Sequence, residues 1–206
     1  MKKYLLLAAI ILLCSSAMPT LAQDFSKVEI KVTKVAGNVY MLEGSGGNIG
    51  VSVGPDGILI VDDQFAPLAD KIKAALKTLG EGKLKFVLNT HYHGDHTGGN
   101  IAFGPDAPII AQTNVRKRLS EEQKSKFFNR TTPASPKEAL PVITFDNAVS
   151  VFFNGEEVKV VHFLTATLTA TASSSLPART SCTWAMTSST AGFRLSILKQ
   201  AATWKG

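Results

Sequence analysis

The chain has 206 residues, 45% of them apolar and 18% charged. That is a globular balance and rules out a disordered, collagen-like or disulfide-scaffold protein. Its formal net charge of +6 comes from the two ends, because residues 23–163 hold all 16 acidic residues and an equal number of basic ones. The neutral body argues against nucleic acid or an acidic membrane surface as a partner.

Residues 1–22 read as a cleaved export signal. Lys2 and Lys3 precede an apolar run over residues 5–13, and Thr20-Leu21-Ala22 offers small residues where a signal peptidase cuts. The run is short for a membrane span, and Leu13 before Cys14 does not suit a lipoprotein signal, so no stable membrane anchor is expected. The expected product starts near Gln23 and is periplasmic or secreted. Beyond the signal the only cysteine is Cys182, so no internal disulfide can form.

Polar and apolar residues alternate over 28–35, 38–43 and 48–53 with glycines between, which predicts an antiparallel meander. Residues 57–62 (GILIVD) predict a short buried strand ending in acid. Residues 66–79 place Leu68, Ile72, Ala75, Leu76 and Leu79 on one helical face, and residues 85–89 predict another buried strand. Strand, helix, strand is an α/β crossover, and it brings residues 90–96 to the carboxyl end of a strand, where such sheets place their chemistry. Further along, 109–111 predicts a strand, 114–128 an exposed helix and 131–141 a Pro-rich loop. Residues 148–153 and 157–163 predict a hairpin around Asn154-Gly155.

His91-Tyr92-His93-Gly94-Asp95-His96 concentrates three of the four histidines and one carboxylate within six residues. Neutral imidazole and carboxylate oxygen are good zinc ligands, and a turn after a strand can aim His91 and His93 at one ion while Asp95 and His96 face a second. Gly94, Gly98 and Gly99 suit such a tight turn. Asp62 is either a capping carboxylate or a support for the site. Asp63, Asn89 and Asn100 are candidate supporting groups, and His162, alone in a strand-like run, reads as a core or surface histidine. Ser173–Ser175 lacks a paired base or nucleophile-elbow context.

The string THYHGDHTGGN resembles the signature of the metallo-β-lactamase-fold hydrolases, and the resemblance covers roughly residues 28–163, with 57–62 matching the strand whose terminal acid, here Asp62, supports the site. It implies an α/β fold, the four-layer αββα metallo-β-lactamase sandwich. It further implies one or two Zn2+ ions, with His91 and His93 on the first and Asp95 and His96 on the second. Asp95 would be catalytic, orienting a bridging hydroxide that attacks an ester, thioester or amide carbonyl of a small molecule, a β-lactam being one case. The short motif does not choose between zinc and iron.

The family also uses a third histidine on the first ion, a bridging Asp and a last His, but no histidine follows His162. Of the 43 residues over 164–206, 24 are Ser, Thr or Ala and none is acidic. Read one base out of frame, Trp184-Ala185 must give Gly, Met186-Thr187 Asp and Trp204-Lys205 Glu. With permitted codons, 165–173 reads GHTDGDS and 182–195 reads HLGDDFFNGRFPF, which resemble the missing segments in order. We therefore expect residues 23–163 to be the N-terminal part of the domain and 164–206 an aberrant, low-complexity, frameshifted tail that lacks strand or helix periodicity, leaving the C-terminal half truncated or scrambled. The alternative to an enzyme is an inactive remnant that binds metal weakly.

Overall fold

The computed structural model describes residues 23–125, 130–164 and 180–187. Residues 1–22, where an export signal is expected, lie outside them, as do residues 126–129, 165–179 and 188–206. Among the described residues no helix is long and apolar enough to cross a membrane.

The predicted meander is present as β1 (Lys31–Ala36), β2 (Val39–Glu43), β3 (Ile49–Gly54) and β4 (Gly57–Val61), paired antiparallel in sequence order. A single turn of helix over Ala66–Leu68 leads into α1 (Ala69–Leu79), and β5 (Leu84–Asn89) then pairs parallel with β4. The strand β6 (Ile109–Gln112) and a three-residue strand, β9 (Ile143–Phe145), extend the parallel side, giving the order β1-β2-β3-β4-β5-β6-β9. β9 escapes the sequence pattern because three residues carry no period.

Every residue of β4 is buried, and alternate residues serve different layers. Ile58 and Ile60 pack with Leu68, Ile72, Leu76 and Phe103 on the helical side, whereas Leu59 and Val61 pack with Phe153, Val158 and Val160 of a second sheet. A strand covered on both faces is an apolar run and not an alternation. The layers are therefore helix, seven-stranded sheet and second sheet.

The second sheet is the predicted hairpin, β10 (Ala148–Phe153) with β11 (Glu156–Leu164), joined through Asn154 at φ 55° and Gly155 at φ 77°. Two consecutive left-handed residues are what a two-residue hairpin turn needs. The turn also clips the sheets together: Asn154 Nδ2 donates to Ser52 Oγ at 3.1 Å and Gly57 O at 3.2 Å, while its Oδ1 accepts from Asp56 N at 3.0 Å. On the outer face of β10, Phe152 stands 78% exposed.

One expectation needs correction. Of the helix expected over 114–128, the described residues form α4 (Thr113–Leu119), and Gln123–Ser125 (β7) pairs instead with Arg130–Thr132 (β8), while residues 126–128 of that expectation lie outside the described residues. Only Val115 of α4 is buried, so extending this charged helix would gain no tertiary packing, and short helices without packing are marginal. Within the tail, whose sequence lacks strand or helix periodicity, lies β12 (Thr180–Thr187), paired antiparallel along β11 from Leu164 opposite Thr180 to Glu157 opposite Thr187. An open strand edge is a template for any chain, and TSCTWAMT is rich in residues that suit a strand. The motif turn contains two further short helices, α2 (Gly94–Thr97) and α3 (Asn100–Phe103).

Asn154→Ala removes three side-chain hydrogen bonds and forces a left-handed alanine. At about 1 kcal/mol per bond and about 1 kcal/mol for the backbone, it should destabilise the chain by roughly 4 kcal/mol in urea titrations, with Asn154→Gly recovering the backbone part. A loss below about 1 kcal/mol for Asn154→Ala would mean that the clip does not hold the sheets.

Candidate metal centre

Parallel pairing of β4 and β5 sets Asp62 beside Thr90 at the carboxyl ends of both strands, and Asp62 N donates to Leu88 O at 2.7 Å. Asp62 is 3% exposed. A buried carboxylate needs donors, and it has three: Thr90 N on Oδ1 at 2.8 Å, Thr90 Oγ1 on Oδ2 at 2.8 Å and His96 Nδ1 on Oδ2 at 2.7 Å. Its side-chain oxygens thus bond to Thr90 and to His96 of the histidine loop.

Those bonds fix which ring nitrogen meets which partner. Thr90 has one hydroxyl hydrogen and gives it to Asp62, so at the 3.0 Å contact His91 Nδ1 must be the donor to Thr90 Oγ1. His91 Nε2 is left with its lone pair. His96 Nδ1 likewise donates to Asp62, which turns its Nε2 towards Asp95 Oδ2 at 3.3 Å. His93 caps α2 from outside, its carbonyl accepting from Thr97 Oγ1 at 3.0 Å, and its Nδ1 lies 3.2 Å from His91 Nε2. The His91 and His96 rings are 4.1 Å apart between centroids.

The donors therefore come as two adjacent pairs, His91 with His93 and Asp95 with His96. Tetrahedral zinc with Zn–N near 2.0–2.1 Å separates two ligand atoms by about 3.3–3.4 Å. The 3.2 Å and 3.3 Å separations are edges of that size, so each pair fits two corners of a zinc sphere. Among the described residues no group of three or more His, Cys, Asp or Glu side chains is arranged to hold a metal ion. His162 does not join them. It lies on the face of β11 that carries Val158 and Val160, and its buried Nε2 has no partner among the described residues.

Burial, aided by the charge on His96, lowers the His91 pKa to about 4. Burial also pulls His96 down, but the hydrogen bonds of Asp62 and Asp95 outweigh it and raise His96 to about 10. The His96 hydrogen bond lowers Asp95 to about 2. Asp63 is pushed well above the carboxylate range by burial and by Asp62, only partly offset by the Gly99 N–H.

Asp63 and Asn100 anchor the end of the loop. Asp63 Oδ1 accepts from Gly99 N at 2.9 Å, and Asn100 Nδ2 donates to Asn89 Oδ1 and Ala139 O at 3.0 Å each. A Cβ at Gly99 would lie 2.4 Å from Asp63 O, whereas one at Gly94 would meet nothing within 4 Å. Close approach thus explains Gly99 but not Gly94. Two residues were missed from sequence. Thr90 lies inside the motif, but only the fold shows its bonds to Asp62. Gln64 is fully buried and ties the neighbouring turn to the loop, and its sequence context carries no signal for this.

A family profile described as the metallo-beta-lactamase superfamily matches residues 32–174. The chain belongs to that superfamily. Similar solved structures include the class B3 di-zinc metallo-beta-lactamase LRA-12 from an Alaskan soil metagenome (19% identity, TM-score 0.60, covering 82% of this chain and 61% of that one). BJP-1 of Bradyrhizobium japonicum (20%, 0.59, 80% and 60%) and FEZ-1 of Legionella gormanii (20%, 0.59, 77% and 58%) are also similar. At these identities they share the metallo-beta-lactamase fold, and the chain spans 58–61% of their lengths. No curated protein sequence matches it. Members of the superfamily with this fold are hydrolases.

In the metal-free chain the shifts set a pH optimum. His96, raised from 6.5 to about 10, contributes stability that is complete below pH 6.5 and lost as pH climbs towards 10. His91, lowered from 6.5 to about 4, adds a charging penalty as pH falls through that window, and Asp95 loses its pairing between 3.8 and about 2. The melting temperature of metal-free protein should therefore peak near pH 6.5, with the alkaline decline flattened in His96→Gln. A melting temperature that rises between pH 7 and 9 would contradict this assignment.

Proposed function

We propose that the chain is an exported zinc-dependent hydrolase acting on an ester, thioester or amide carbonyl of a small molecule, β-lactams being one case. The observation that carries this reading is the pair of donor edges at 3.2 Å and 3.3 Å, turned inward by Thr90 and Asp62. A carboxylate behind a histidine orients the ring and raises its basicity as a ligand. His91 Nε2 and His93 Nδ1 would hold one ion, and Asp95 Oδ2 with His96 Nε2 a second. Bound zinc lowers the pKa of water to about 7 and so supplies a nucleophile at neutral pH. Asp95 would orient the attacking water and would be the catalytic residue, and His96 would have to release its Nε2 proton to solvent to serve as a ligand. The motif also suits iron, which metal analysis of protein isolated from its host distinguishes. Export rests on the charge and hydropathy of residues 1–22, and an exported chain with the mass expected from Gln23 onward would support it.

A second reading is favoured by a specific observation: the donors come in pairs and no third donor joins either pair among the described residues. Two imidazoles hold zinc more weakly than three, so the chain as written could be a remnant that binds metal without turnover.

Zinc affinity by chelator competition separates the readings. The enzyme reading predicts one or two ions that survive a mild chelator, an affinity loss of about 10–100-fold in Asp62→Asn, and hydrolysis of a chromogenic ester, thioester or lactam panel that Asp95→Asn abolishes. Zinc stripped by a mild chelator, with no turnover on any substrate, would leave only the remnant.

A further inference from the structure

Beside the loop, Gln64 combines three features that its sequence does not explain. It is fully buried, its backbone is left-handed at φ 55°, and both ends of its amide are used on one neighbouring turn. Nε2 donates to Gly47 O at 2.6 Å and Oε1 accepts from Ser45 N at 3.3 Å, while the Gln64 carbonyl accepts from Gly99 N at 2.9 Å. One residue thus joins the turn over 44–48 to the far end of the histidine loop. A left-handed non-glycine costs about 1–3 kcal/mol and persists only where its surroundings over-determine it.

That turn lies directly on the metal loop. A Cβ at Gly47 would come within 2.3 Å of His96 Cε1, and one at Gly46 within 2.8 Å of Asp95 Cβ. Gly47 N donates to Asp95 O at 3.4 Å. The backbone at Gly47 is therefore packed on the His96 imidazole with no room for a side chain. Asp62 holds the ring at Nδ1 and Asp95 lies 3.3 Å from Nε2, but contacts at these two nitrogens leave the ring plane free to tilt about the line that joins them. A wall against the ring removes that freedom.

We propose that Gln64 is a positioning residue that clamps the turn over 44–48 against His96 and thereby sets the tilt of its imidazole, and with it the direction of Nε2. The reading of His96 as a zinc ligand gives this its catalytic meaning, but the geometry stands without metal. It acts through Gly47. A buried glutamine that merely satisfied its own amide would have no specific effect on His96, and this difference makes the proposal testable.

The experiment is imidazole 15N NMR together with amide hydrogen exchange on the metal-free full chain, comparing wild type, Gln64→Met and Gly47→Ala. Gln64→Met should speed exchange at Ser45 and Gly47 at least about 10-fold and shift the His96 ring resonances, leaving β4 and β5 amides and the His91 ring unchanged. Gly47→Ala, which pushes a methyl at the ring while Gln64 is intact, should shift the same His96 resonances. Unmoved His96 resonances in either variant would overturn the proposal, as would faster exchange spread evenly over β4 and β5 in Gln64→Met. If Gln64→Met does not fold, Gly47→Ala decides by itself: a displaced His96 ring supports the clamp and an unmoved one overturns it. Because no metal is present, a failure of zinc binding would refute the hydrolase reading and leave this result standing.

Discussion

The Asp62 carboxylate is the constraint on which the site depends. It is buried at the end of β4, and a charge in that position is tolerated only with several donors around it. Thr90 supplies two and His96 the third. Because Thr90 spends its hydrogen on Asp62, His91 must donate from Nδ1, and because His96 donates from Nδ1, its Nε2 faces Asp95. One buried charge therefore decides which nitrogen each of these rings presents. The left-handed backbone of Asp62, at φ 64°, is part of the same arrangement, since Asp tolerates that conformation better than most residues.

The strands behind this arrangement were legible because their burial is simple. In β4 both faces are covered and the sequence is an unbroken apolar run, and in the hairpin Asn154-Gly155 supplies the two left-handed residues the turn requires. The helix after β6 was misjudged because its charged sequence has helical propensity but only one buried residue, so tertiary structure gives it no reason to continue past Leu119. The strand over Thr180–Thr187 was missed because its pairing comes from the open edge of β11 and not from a period of its own.

At the site, residue types and spacing singled out His91, His93, Asp95 and His96 as candidate donors and Asp62 as their candidate support. What spacing could not give was the pairing. Thr90 and Gln64 act through hydrogen bonds that only the meeting of β4, β5 and the turn over 44–48 creates. The superfamily match and the fold agree on the histidine-loop half of the molecule, and the chain spans 58–61% of the length of the similar structures. The segments that resemble the remaining ligands are visible only in a shifted frame, and the first of them falls outside the described residues.

X-ray absorption at the zinc edge, on the full chain loaded with one equivalent of Zn2+, tests the central claim most directly. The account predicts nitrogen and oxygen neighbours at about 2.0–2.1 Å with the multiple scattering of at least two imidazoles, reduced by one imidazole in His93→Ala. A zinc shell without imidazole scattering, or one that His93→Ala leaves unchanged, would mean that the loop over 91–96 does not hold the metal.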